Sequence, residues 1–413
     1  MTTVVALSAG AVFALLRWLR VCQREHYVPG SVTRFAARWW SSRPVNLLLA
    51  GTGLAAAVLT ASGFEQAAYV VAAAAAVGPV GLTVRGTSAP LRWTPRLIRL
   101  ASASAVPPLA AAVWSVRSAE PTSMTLAALA VPLWVDLASA ALRPLEKRIS
   151  RRWVWTASRR LAEVAPRVVA ITGSYGKTST KELVRHLLAG RHSVLASPAS
   201  FNNLLGLART INEHLTPDVE VFVAEMGTYG PGEIDEMCRH YPPEVGVITA
   251  LGPVHLERMG SIERIRDAKS EILRRARVGV INVDHPLLAE LARAEMDRIR
   301  VVTCSTSQPE ADVVCADGRV SIGGVELARF QSGVVHPGNL ACAVGVLVAL
   351  GEDPSSWIDR LEDLPVPPHR LVSATSERGF VVFDDTFNAN PEGARGRAPP
   401  ARGRGPPPAG GCW

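Results

Sequence analysis

The chain has 413 residues, enough for two or three domains. Its net charge of +8 comes from 44 basic and 36 acidic residues, but no basic stripe with interleaved aromatics is present, which argues against a nucleic-acid partner. Six cysteines, at positions 22, 238, 304, 315, 342 and 412, form no C-x-x-C pair. Neither a zinc site nor a disulfide framework is therefore expected, and the cysteines read as reduced residues of an intracellular domain.

The first 150 residues hold the long apolar runs, at about 4–16, 45–64, 67–84, 100–116 and 124–142. Each approaches the roughly 20 residues needed to cross a bilayer. The first is short, and Pro107 and Pro108 interrupt the fourth. Arginines crowd the first and third connections (Arg17, Arg20, Arg24, Arg34, Arg38 and Arg43; then Arg85, Arg92, Arg96 and Arg99), whereas the second holds only Glu65. Arg117 is balanced by Glu120 in the fourth, and Arg143, Lys147, Arg148, Arg151 and Arg152 follow the last run. Such alternation follows the positive-inside rule. It predicts five spans, a multi-pass plasma-membrane protein in contact with membrane lipid, and everything after about residue 143 in the cytoplasm. Because the runs are alanine-rich, a soluble helical bundle is the alternative.

After residue 150 the pattern changes. "RVVAITG", "VEVFVAEMG", "VGVITAL", "VGVINVD" and "IRVVTCS" are strand-like runs, with helical stretches between them. In "KTSTKELVRHLLAG", Leu183, Val184, Leu187 and Leu188 fall at helical spacing before Gly190. Strands alternating with helices imply an α/β fold with a mostly parallel sheet. Between the first strand and this helix lies "GSYGKTS", Gly173 to Ser179. A strand, a glycine turn, Gly-Lys-Thr and a helix are what a phosphate-binding loop needs. Backbone N–H groups of residues such as Ser174, Tyr175, Gly176 and Ser179 would face the phosphates, Lys177 would neutralise them, and Thr178 would hold Mg²⁺. The full-length motif has a further glycine where Ile171 stands. A chance glycine turn before a helix is the alternative.

Several separated segments then follow in a set order: "SFNNLLGLARTI", "AEMGTYGPGEI", "TALGPVHLERMGSIERIRDAKSEI", "PPHRLV" and "DDTFNANP". Together with the compact loop they resemble the central ATPase domain of the Mur ligase family, from about residue 165 to Pro391. They are most similar to the branch that adds D-alanyl-D-alanine to a muramoyl peptide. The resemblance implies a P-loop Mur-ligase central domain with a mostly parallel sheet, preceded here by an all-α transmembrane region. It divides the chain into a transmembrane region (1–150), the ATP-binding domain (151–391) and a Pro/Gly/Arg tail (392–413).

The activity implied is that of an ATP-dependent amide ligase of peptidoglycan precursor synthesis. A carboxylate is activated as an acyl phosphate and then joined to an amine, an amino acid or a dipeptide such as D-alanyl-D-alanine. The cofactors implied are ATP and Mg²⁺. By the resemblance Glu225 and His255 are Mg²⁺ ligands, Lys269 becomes a third once carbamylated by CO₂, Arg370 reaches the γ-phosphate, and Asp385 the ribose. Asn339 lies near the adenine, although Gly338 and Cys342 stand where the family has further polar groups. Asn202 and Asn203 line the substrate side. The residues themselves leave open a helix-capping Glu225, a structural His255, and a solvated Lys269 paired with Asp267 or Glu271.

The family's N-terminal domain, which holds the UDP end of the precursor, has no counterpart, and this raises the expectation of a lipid-linked acceptor. Beyond "NANP", Ala394 to Gly411 use only Ala, Arg, Gly and Pro. That composition suggests out-of-frame reading of GC-rich DNA and a missing C-terminal ligase domain, with a natural disordered tail as the alternative. A different amino-acid or polyglutamate-type ligase, or a non-catalytic ATP-binding membrane protein, would also fit the sequence.

Overall fold

The computed structural model describes residues 1–83, 90–198, 201–254, 256–331 and 334–365, with the backbone of 372–375 and 381–384. It divides into two compact units, Met1–Ser150 and Arg151–Trp413. The tail expected at 392–413 lies outside the described residues.

The first unit is helical: α1 (Thr2–Arg24), α2 (Ser31–Ser41), α3 (Pro44–Ala61), α4 (Ala68–Val77), α5 (Pro95–Ser118), α6 (Thr122–Leu129) and the start of α7 (Val131–Val164). Leu7, Trp18, Leu19, Val71, Leu97 and Val135 form its core. Two of its buried charges, Asp136 and Arg17, serve helix ends, where backbone groups lack partners. The Asp136 carboxylate accepts the N–H groups of Val32 (3.3 Å) and Thr33 (2.7 Å) at the start of α2. The Arg17 guanidinium donates to the carbonyls of Ala75 and Ala76 at the end of α4.

The count of five spans is corrected. Among the described residues three helices (α1, α3 and α5) are long and apolar enough to cross a membrane, or up to four if α6 and α7, bent by 70°, are taken as one. The third apolar run gives only the 10-residue α4. Its helix stops at Gly78 because the residue before a proline, here Pro79, is disfavoured in the helical region. The adjacent Pro107 and Pro108, by contrast, lie inside a continuous α5.

The second unit is an α/β sheet built as expected. In chain order it runs β1 (Arg167–Thr172), α8 (Lys177–Leu188), β2 (Val194–Ala196), α9 (Leu204–His214), β3 (Val221–Glu225), α10 (Glu233–His240) and β4 (Val245–Ile248). There follow α11 (Leu256–Met259), α12 (Ile262–Ser270), β5 (Val278–Asn282), α13 (Pro286–Glu295) and β6 (Arg300–Ser305). The remainder is β7 (Val313–Ala316), β8 (Arg319–Ile322), β9 (Val325–Arg329), α14 (Pro337–Leu350), β10 (Val372–Thr375) and β11 (Val381–Asp384).

The nine-stranded sheet has the order β2-β3-β1-β4-β5-β6-β7-β8-β9. Pairing is parallel from β2 through β7 and antiparallel for β8 and β9. β10 and β11 form a separate antiparallel pair. On one face of the large sheet α8 and α14 bury Leu183, Val184, Leu187, Leu340, Val344 and Leu347. The other face is covered by the end of α7 with α9, α10, α12 and α13, through Leu161, Leu207, Ile211, Met237, Ile265 and Leu288. Both faces are buried, which is why these strands read as continuous β-branched runs. β1 lies between β3 and β4, so the strand order reverses there. In open parallel sheets the crevice beyond the strand ends at such a point is where ligands bind.

Candidate nucleotide and metal site

β1 ends at Thr172, and the turn Gly173–Gly176 leads directly into α8 at Lys177. Ile171, which departs from the longer motif, is a fully buried strand residue registered between Glu225 and Val247. The loop is compact because the strand runs two residues further than the longer motif would allow. Gly173 then supplies the close approach: a Cβ there would lie 2.0 Å from Thr249 Oγ1. Gly176 has φ +79°, and a Cβ would lie 2.1 Å from Asn339 Oδ1. Asn339, in the first turn of α14, is thereby seated against the loop.

The loop is tied to the end of β4. Ser174 N–H donates to the Ala250 carbonyl at 2.8 Å, and Ser174 Oγ donates to the Gly252 carbonyl at 3.0 Å. Thr249 Oγ1 donates to the Tyr175 carbonyl at 2.5 Å. The Tyr175 ring lies over Gly252, where a Cβ would come within 2.4 Å of it. Lys177 Nζ, at the start of α8, donates to the carbonyls of Gly173 (2.7 Å) and Ser174 (3.4 Å). The loop and this ammonium therefore lie at the N-terminus of a 12-residue helix, the arrangement that binds a phosphate chain, although the Ser174 N–H expected to face the phosphates is taken by the Ala250 carbonyl instead.

The Gly176→Ala variant follows from this geometry. An L-residue in the left-handed region costs about 1–2 kcal/mol, and Asn339 must also move. A lowered melting temperature and at least about tenfold weaker ADP binding are expected, read by thermal melts and ligand titration.

Thr178 Oγ1 donates to Glu225 Oε2 at 2.9 Å, and Asn202 Nδ2 donates to Glu225 Oε1 at 3.4 Å. Glu225 ends β3 and is 3% exposed. A hydroxyl and a carboxylate side by side are hard oxygen donors of the kind Mg²⁺ selects, so these residues fit the metal the resemblance implied. Among the described residues no group of three or more His, Cys, Asp and Glu is assembled. His255, Arg370 and Asp385 lie outside the described residues.

Lys269, near the end of α12, is 6% exposed. Burial, followed by repulsion from the Lys177 charge, pulls its amine down from the ordinary 10.5 to about 7. The solvated, paired lysine considered from sequence is not what the fold makes. Asp267 pairs with Arg266 at 2.6 Å. Glu271 accepts the N–H groups of Gly232 (2.7 Å) and Asp235 (3.1 Å). Two other residues serve as helix caps. The Asn203 side chain accepts the Gly206 N–H at 2.9 Å, and His336 Nδ1 accepts the Gly338 N–H at 3.2 Å.

Sequence reasoning missed Lys181, Ser197 and Thr249. Lys181 is fully buried, with Nζ donating to the Ser197 carbonyl at 2.6 Å and 3.7 Å from Glu225 Oε2. Its one legible signal is the spacing Lys177–Lys181, one helical turn apart.

Loop, helix N-terminus and strand-end carboxylate at a switch point define a P-loop nucleotide-binding α/β domain. Residues 171–344 match the sequence model of the Mur ligase middle domain. The UDP-N-acetylmuramoyl-tripeptide–D-alanyl-D-alanine ligase of Mycobacterium leprae (strain TN) is 35% identical over 254 residues, 55% of this chain and 48% of that protein. The ligase of the same name from Bacillus subtilis (strain 168) is 30% identical over 237 residues, 56% of this chain and 52% of that protein. Among solved structures, MurF from Acinetobacter baumannii superposes with a TM-score of 0.54 at 25% identity, over 60% of this chain and 56% of that one. MurF from Thermotoga maritima in complex with ADP gives 0.51 at 28% identity, over 60% and 59%. The chain spans about half the length of the relatives it matches.

The plasma-membrane location inferred from the apolar runs is corrected by these comparisons, whose named relatives are the ligases above. They also remove the support for a lipid-linked acceptor, because the names specify a UDP-linked one.

Proposed function

We propose that the chain activates the carboxylate of a UDP-linked muramoyl peptide with ATP and Mg²⁺, for joining to the amine of D-alanyl-D-alanine. The observation that carries this reading is the union of Lys177, Thr178, Glu225 and Asn202 at the switch point, with the buried amine of Lys269 repelled by the Lys177 charge. The relatives named above support the identity of both substrates.

In the first step a carboxylate oxygen attacks the γ-phosphorus of ATP, the bond to the bridging oxygen breaks, and ADP leaves. In the second, the amine attacks the acyl carbon, inorganic phosphate leaves, and the amine gives up a proton. The first step brings two anions together, so positioning and charge neutralisation dominate the catalysis. Lys177 and the loop N–H groups hold the phosphates. Thr178 and Glu225 would hold Mg²⁺, which supplies neutralisation of the phosphate oxygens.

An amine near neutrality at pH 7 is a nucleophile toward CO₂. Addition at Lys269 Nζ with loss of a proton gives a carbamate, an anionic oxygen donor that an ammonium cannot be. His255, Arg370 and Asp385 keep the roles the resemblance gave them as part of this reading.

The test is a coupled assay of ADP release with UDP-N-acetylmuramoyl-tripeptide, ATP and Mg²⁺, omitting each in turn. ADP release that requires the peptide carboxylate is expected. Release that ignores it contradicts the reading.

A further inference from the structure

We propose that Lys181 is a positioning residue for Glu225, controlling the divalent-cation affinity of the site from beneath it without touching the nucleotide. The inference rests on the reading of Thr178 and Glu225 as the Mg²⁺ side of the site.

Lys177 and Lys181 are one turn apart on α8, yet their surroundings differ. Lys177 Nζ lies on the loop carbonyls. Lys181 is fully buried. Its ammonium donates to the Ser197 carbonyl at 2.6 Å and lies 3.7 Å from Glu225 Oε2. Ser197 binds the same strand end a second way, because its Oγ accepts the Glu225 N–H at 3.0 Å. Ser197 thus links the lysine and the glutamate through its carbonyl and its hydroxyl.

Among the described residues the Glu225 carboxylate is approached by the side chains of Thr178, Asn202 and Lys181. Thr178 and Asn202 are half-buried, whereas Lys181 has no exposed surface, so no ligand can reach it. The other nearby carboxylate, Glu182 at 3.4 Å, is 31% exposed and already paired with Arg185 at 2.9 Å. It has little need of a buried ammonium.

Burying an ion pair is seldom favourable for stability compared with an apolar pair of the same volume. The pair is therefore better understood as fixing the carboxylate. Groups behind a metal-binding carboxylate orient it, and their loss typically costs about 10–100-fold in metal affinity.

The experiment measures ADP affinity of the full chain with and without Mg²⁺ for the wild type, Lys181→Met, Glu225→Gln and the double variant. Lys181→Met is expected to lose about tenfold or more of the Mg²⁺-dependent gain, with metal-free ADP affinity unchanged within about twofold. In the Glu225→Gln background the same change should add nothing. Equal losses with and without Mg²⁺, no loss at all, or an additive loss in the Glu225→Gln background would overturn the proposal. Should Lys181→Met not fold, the double variant replaces it, since it leaves neither charge buried alone. It must then match Glu225→Gln in both affinities, and a lower metal-free affinity overturns the proposal. A wild-type ADP affinity indifferent to Mg²⁺ instead refutes the underlying nucleotide–metal reading, and this inference with it.

Discussion

Lys177→Ala is expected to lower ADP affinity by about a hundredfold while leaving the fold intact. The ammonium sits at the mouth of the loop, bonded to the Gly173 and Ser174 carbonyls, and contributes nothing to the hydrophobic core. Hydrogen bonds to charged groups are worth about 1.5–3 kcal/mol, and about 1.4 kcal/mol is a factor of ten in affinity. Loss of the loop's lysine from a polyphosphate therefore costs about two decades. Far-ultraviolet circular dichroism and the melting temperature should match the wild type. Isothermal titration with ADP reads the loss, and unchanged affinity would reduce the loop to a turn between a strand and a helix.

Lys269→Met is expected to abolish carboxylate-dependent ADP release, by about a hundredfold or more, and at the same time to stabilise the protein. The sign follows from the amine's value of about 7 in the fold against 10.5 ordinarily. Between those values the unfolded chain binds a proton that the folded chain does not, so stability falls as pH drops from about 10.5 to about 7 and stays low below it. Methionine removes that penalty. In bicarbonate-free buffer the gain, at most about 5 kcal/mol for such a shift, should be full at pH 7 and vanish above pH 10.5. Melting temperatures at the two ends of that range decide this. Lys269→Ala in the presence of bicarbonate and a short carboxylic acid should recover part of the activity, because the acid replaces the missing anionic donor. Full activity of either variant would leave Lys269 without a role.

The strands of the parallel core were legible because burial on both faces makes them unbroken β-branched runs, and Gly173 and Gly176 marked the loop between β1 and α8. The antiparallel extension β7–β9 was not singled out, since its strands are four or five residues long and only partly buried. Its signals were in the turns: Asp317-Gly318 and Gly323-Gly324 both have positive φ, as two-residue hairpin turns require.

In the first helical unit the number of long apolar helices is set where a local break outweighs mean apolarity. Gly78-Pro79 cuts the third apolar run short, and α6 and α7 bend apart. In the site, Glu225 and Lys177 were found because a strand end and a glycine turn announce them. Lys181, Ser197 and Thr249 were not, because their parts depend on which strand lies beside which. No local pattern carries that information. The burial of Lys269 was hidden for the same reason: on α12 alone it resembles a surface lysine between Asp267 and Glu271.

The most direct measurement of the central claim follows oxygen. The full chain is incubated with ATP, Mg²⁺ and UDP-N-acetylmuramoyl-tripeptide bearing ¹⁸O in its terminal carboxylate, with hydroxylamine as the accepting amine. The inorganic phosphate released is then analysed by mass spectrometry. Attack of that carboxylate on the γ-phosphorus predicts one ¹⁸O in the phosphate for each hydroxamate formed. Phosphate released without label would contradict acyl-phosphate activation at this site.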